Sequence, residues 1–123
     1  MAVLSDQLGF HPRRFGVIGH LWDSPTPIAV LDAERRYVDA NDAFCQLTGY
    51  SRPEMLAMRA GDLTVLAAAP IPSLFAKITR HWSVNTTLRL RRKDGDCVTV
   101  TVRAYRCSMP GKHLVFVICT PRP

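Results

Sequence analysis

Glutamate is almost absent from this chain: Glu34 and Glu54 are the only two in 123 residues. Carboxylate pairs for acid–base chemistry would have to come from aspartate. Asp32, Asp39 and Asp42 do cluster, but at positions suited to turns and a helix cap. There is no G-x-S-x-G elbow, no phosphate-binding glycine loop, no H-E-x-x-H and no dinucleotide fingerprint. The chain is therefore expected not to be an enzyme. No apolar run approaches the ~18 residues of a membrane span. Residues 1–10 lack a cationic stretch followed by an apolar core, so no export signal is visible. Cysteine is sparse, at positions 45, 97, 107 and 119, with no C-x-x-C pair. Zinc ligands would be more closely spaced, and His11, His20 and His113 do not pair at ligand spacing, so no metal site is expected. Reduced, mostly buried thiols of a cytoplasmic protein are the expectation.

What is present fits one globular domain: 47% hydrophobic and 8% aromatic residues. The net charge of +6 comes mostly from arginine and permits an acidic partner, nucleic acid included, although it forms no dense run. Residues 1–24 divide into an arm and a flanking helix, in which Phe15, Ile18, Leu21 and Trp22 recur at helical spacing. Ser24-Pro25-Thr26-Pro27 ends that helix and feeds a strand.

Residues 28–50 organise the rest. Ile28 to Leu31 and Tyr37 to Ala40 read as two strands of a hairpin across the turn Asp32-Ala33-Glu34-Arg35. Asn41 caps a helix carrying Phe44 and Leu47, which Gly49 ends. Ser51 and Glu54 form a capping box for a second helix running to about Met58. Leu63 to Leu66 is read as a further helical turn. A stronger helix from Ser73 carries the stripe Ile71, Leu74, Phe75, Ile78 and Trp82. Three strands follow: Val84 to Arg92, Cys97 to Cys107 and His113 to Thr120. They are separated by the turns Lys93-Asp94-Gly95-Asp96 and Ser108-Met109-Pro110-Gly111-Lys112. The last strand is nearly continuously apolar, as for one covered on both faces. The expected fold is α+β: a five-stranded antiparallel sheet with short helices on one face, plus the N-terminal helix.

The run Ile28-Ala-Val-Leu-Asp, the strand ending in Asn41, the helix ending Thr48-Gly49-Tyr50, Ser51-Arg52-Pro53-Glu54-Met55-Leu56 and Arg92-Lys93-Asp94-Gly95 together resemble a PAS domain, a sensory module. The likeness places that domain at 25–121. It implies a sensor of signal transduction or transcription regulation, as a stand-alone module or a fragment of a longer bacterial regulator. Met1 is taken as a natural start. It further implies an apolar cavity between helix and sheet, lined by Phe44, Leu47, Leu63, Phe75, Ile78, Leu88, Leu90, Val100 and Val102; whether these residues leave space or fill a dry core stays open.

In haem-binding members the iron ligand comes from the helix region corresponding to His81, which makes it the candidate haem ligand; the plainer reading is a half-exposed histidine beside the negative end of a helix dipole. Photosensory members carry a cysteine after the second short helix. Ala60-Gly61-Asp62-Leu63-Thr64-Val65 has none, so a flavin adduct is not expected. The N-terminal helix is expected either to lid the sheet or to pair with another copy. The outer sheet face, with Arg89, Arg91, Arg103 and Tyr105 beside Phe15, Ile18 and Trp22, is the candidate partner face of a homodimer or an output domain. The alternative is a basic nucleic-acid-binding α+β domain using that same face.

Overall fold

The computed structural model describes residues 16–109 and 112–122, with side chains described over 19–107 and 113–122. Helix α1, Gly16–Leu21, leads into strands β1, Ile28–Leu31, and β2, Tyr37–Ala40. Helices α2, Asp42–Thr48, and α3, Arg52–Met55, follow, then strand β3, Thr64–Ala67, and helix α4, Ile71–His81. Strands β4, Ser83–Arg91, β5, Cys97–Met109, and β6, Lys112–Pro121, close the domain. The six strands form one antiparallel sheet in the order β2-β1-β6-β5-β4-β3.

Local chemistry sets the early elements. The Asp32 carboxylate accepts from the amides of Glu34 and Arg36, each at 2.9 Å, and closes the β1–β2 turn. Asn41 accepts from the Phe44 amide at 2.9 Å and caps α2, which ends at Gly49 with φ 81°. The Ser51–Glu54 capping box starts α3 as expected. That helix is shorter than the pattern suggests: it ends at Met55, and the amides of Ala57 and Met58 turn back to the carbonyls of Glu54 and Met55.

The sheet has six strands where five were expected. Where the pattern reads Leu63 to Leu66 as a helical turn, Thr64–Ala67 is strand β3, with Thr64 opposite Leu90 and Ala67 opposite Leu88. The free edge of β4 explains this. It offers a ladder to a segment with β-branched Thr64 and Val65, and tertiary pairing overrides a short apolar pattern.

Both sheet faces carry packed apolar residues. On the inner face Ala29, Leu31, Val100, Val102, Ala104, Val115 and Cys119 meet Phe44, Met55 and Ile78 from the helices. On the outer face Ile28, Val30, Val38, Leu114 and Phe116 lie under Trp22. Burying each of these large side chains contributes roughly 1.5–3 kcal/mol. The segment after α1 thus covers one end of the sheet, and Trp22, at 7% exposure, is lid rather than partner surface. Phe15 lies outside the described residues; Ile18 falls within α1, but its side chain is likewise outside them.

Trp82 also departs from expectation. It sits past the end of α4 with φ 70°, which turns its ring off the helix's apolar stripe to 58% exposure. There the Arg106 guanidinium stacks on it at 3.7 Å.

Candidate functional site

A cavity of about 80 Å3 lies between α4, the loop before β3 and the inner sheet face. Phe44, Leu63, Phe75, Ile78, Leu88, Leu90 and Val102 line it, as the sequence pattern suggests. Leu47 and Val100 do not; they pack in the apolar core beside it. Leu31, Tyr37, Ile71, Leu74, Val84, Thr86, Ala104, Val117 and Cys119 line it without having been singled out. For Val84, Thr86 and Ala104 the period-2 alternation of β4 and β5 already carried the signal, since they share a face with Leu88 and Val102. For Cys119 there was none, because an unbroken apolar strand does not disclose which side chains face which way.

Gly61 holds the loop against α4. Its φ is 106°, and a Cβ there would lie 3.3 Å from Ile71 Cγ1, so the close approach and the backbone conformation both favour glycine. Tyr37 enters from β2, its amide donating to the Met58 carbonyl at 3.1 Å and its ring tilted against Phe44 with centroids 5.7 Å apart.

The lining includes no carboxylate, amine, guanidinium or imidazole. Its ionisable groups are the Tyr37 phenol and the Cys119 thiol. Burial pushes the thiol up to about 12. Burial first, then the neighbouring Cys119 and Asp62, raises the phenol above its ordinary value. Desolvation disfavours the charged form of each, so both are neutral at physiological pH. Neither is an activated nucleophile or a base.

His81 is exposed at the C-terminal end of α4 and is not among the lining residues. The cavity is also far below the roughly 300–1,000 Å3 of typical cofactor and drug sites. Neither feature fits haem. The Ala60–Val65 stretch, where photosensory members carry their cysteine, has none. All four cysteines are free, and Cys97 is exposed rather than buried. Among the described residues no group of histidine, cysteine, aspartate or glutamate is placed to hold a metal ion.

Away from the cavity, Arg89, Arg91 and Arg103 are exposed on the outer face. Arg89 pairs with Thr99, and Arg103 pairs with Asn85. Thr99 and Arg103 are separated along one strand by about 13 Å, beyond the screening length of ~8 Å at physiological salt. Arg89 and Arg91, two residues apart on β4 and so about 7 Å from each other, form a pair within that length, while Arg103 stands apart from them. Tyr105 is half-buried, its ring 6.0 Å from Phe116.

Comparison with known proteins agrees with this architecture. A family model described as PAS domain matches residues 25–122. A domain of a sensory box sensor histidine kinase/response regulator from Geobacter sulfurreducens is 26% identical, with TM-score 0.69, over 93% of this chain and 97% of that one. The PAS domain of an HTR-like protein from Haloarcula marismortui is 23% identical, with TM-score 0.74, over 83% and 91%. A Light-Oxygen-Voltage domain superposes with TM-score 0.76 at 16% identity, over 89% and 86%. No curated protein matches the chain.

Proposed function

Because the chain belongs to the PAS domain family, we propose that it senses a small molecule held in its interior cavity and passes the signal to a partner through the outer sheet face. The observation that carries this reading is the apolar space left between α4 and the sheet. A core of this size has little reason to leave such a gap where α4, the Gly61 loop and residues of all six strands meet, since interiors close-pack. A ligand there acts through its different affinities for two arrangements of the surrounding elements. Helix α4 and the Gly61 loop are the elements whose positions it would bias.

The domain binds rather than catalyses on this reading. The neutral phenol and thiol of the lining supply no acid–base pair. Among the described residues no helix is long and apolar enough to cross a membrane, and a cytoplasmic location is part of the proposal.

For the output, Trp22 and the residues beneath it close the apolar half of the outer face, leaving Arg89, Arg91 and Arg103 on the open half. That half suits an acidic protein surface or an attached output domain. A symmetric dimer through it would bring like charges together unless the copies were offset. Tyr105 is occupied against Phe116, which favours a protein partner over a base-stacking surface for nucleic acid. A homodimer and a role in transcription regulation remain parts of the proposal.

Native mass spectrometry of the freshly purified protein tests the sensing role. A co-purifying small molecule is expected, and it should be lost from Ala104→Leu, which fills the cavity from β5. Ligand-free mass in both proteins, with no stabilisation by any added small apolar compound, counts against it.

A further inference from the structure

Resting on the reading of the cavity as a ligand site, we propose that it selects a compact, uncharged, mainly apolar molecule bearing one hydrogen-bond acceptor, which the Tyr37 hydroxyl binds as donor. Charge is excluded first. No lining residue carries a countercharge, and an unpaired ion in apolar surroundings costs many times what its apolar contacts return. Size comes second. One water-sized group needs ~10–15 Å3 of such space, so about 80 Å3 takes a molecule of roughly five to eight non-hydrogen atoms.

The acceptor follows from Tyr37. Its backbone amide and its ring are both engaged, yet its hydroxyl makes no hydrogen bond to any described residue. The other polar side chains of the core behave differently. Asn41 has four partners, Asp39 accepts from Arg52 and from the Ala40 amide, and Thr48 donates to the Phe44 carbonyl. Tyr37 lines the cavity and keeps some exposure, and its hydroxyl is not among the sealed side-chain atoms that lack a partner, so a molecule in the cavity can reach it. It stays protonated at physiological pH and therefore offers a donor to a molecule that fills the cavity. The Thr64 and Thr86 hydroxyls also line the space, on residues half-buried like Tyr37, and the variants below separate their contributions from that of the phenol.

The test uses three probes of matched ring size on the intact protein, followed by NMR titration: cyclohexanone, methylenecyclohexane and cyclohexylammonium. The ketone and the hydrocarbon bind, and the ammonium does not. Tyr37→Phe weakens cyclohexanone by roughly three- to tenfold and leaves methylenecyclohexane unchanged, which also shows that the variant is folded. Thr86→Val keeps the wild-type ratio. In the unmutated protein cyclohexanone, but not methylenecyclohexane, shifts the Tyr37 Cζ resonance. Equal effects of Tyr37→Phe on both rings, an unmoved Cζ, or binding of the ammonium overturns the inference while leaving the cavity a ligand site. Failure of all three probes to bind overturns both.

Discussion

The side-chain amide of Asn41 donates to the backbone carbonyl of Trp22 at 3.0 Å. The same amide donates to the Thr26 carbonyl at 2.8 Å, while its oxygen accepts from the Ile28 and Phe44 amides, each at 2.9 Å. One buried residue thus ties the segment lying on the outer sheet face to the first strand and to the helix on the inner face. The lid over one face and the start of α2 are fastened at the same atoms.

Replacing Asn41 with alanine leaves several enclosed backbone groups without partners. Each such loss costs on the order of 1–3 kcal/mol, partly recovered by entering water. Asn41→Ala is expected to lower stability by about 3 kcal/mol in urea denaturation. Asn41→Asp can keep the two acceptances but not the two donations, and should fall between. Equal stability of Asn41→Ala and the unmutated protein would show that the Trp22 segment is not fastened there.

The Lys93 ammonium contacts the Glu54 carboxylate at 2.7 Å, joining α3 to the β4–β5 turn. That bond, with the Ser51 amide, lowers the Glu54 carboxyl to about 2. A depressed folded value stabilises the fold above the unfolded value, and the stability is lost as pH falls towards the folded one. The window is therefore from pH 4.5 down to about 2. Glu54→Gln preserves the capping box but removes the charge, so it should flatten the acid limb of the urea midpoint against pH in that window. Added salt should act in the same direction on the unmutated protein, because the pair is exposed.

The layering of this domain was legible from residue patterns because each early element carries its own punctuation: the Asp32 turn, the Asn41 cap, the Ser51–Glu54 box. The alternation of β4 and β5 separated Leu88, Leu90 and Val102 from Arg89 and Arg103 correctly. What could not be read depends on partners far away in sequence. Residues 64–67 become a strand only because β4 leaves an edge open. Trp22 becomes a lid only because β1 and β6 place Ile28, Val30 and Phe116 beneath it. Tyr37 becomes a cavity residue through β2 pairing beside β1, with Leu31 opposite it.

Trp82 adopts φ 70° where the chain turns from α4 into β4. Left-handed backbone costs a side-chain-bearing residue about 1–2 kcal/mol. Its ring is held by Arg106, which also donates to the Thr79 carbonyl at 2.9 Å. Trp82→Ala keeps the strain and loses the stacking; Trp82→Gly loses the stacking but relieves the strain. Glycine should therefore be more stable than alanine by about 1 kcal/mol, measured by chemical denaturation of the two variants. Alanine equal to or above glycine would place the preference in the side chain rather than in the backbone.

Alkaline behaviour reports on the cavity wall. Cys119 is 3% exposed, and burial raises its thiol from 9.0 to about 12. With the folded value above the unfolded one, stability is full below about pH 9 and falls as pH rises, because only the unfolded chain releases the proton readily. The raised Tyr37 phenol adds to the same loss at higher pH. Cys119→Ala should flatten the decline in denaturation midpoint above pH 9 while costing stability at neutral pH through the smaller side chain. Thiol labelling at pH 8 gives a second reading. Exposed Cys97 should react with iodoacetamide first and Cys119 only on unfolding, with mass spectrometry locating the adducts. A ligand that fills the space beside Cys119 should slow that last labelling step further, because it stabilises the folded state that shields the thiol. Early modification of Cys119 in the folded protein would mean that the cavity opens far more freely than its close walls suggest.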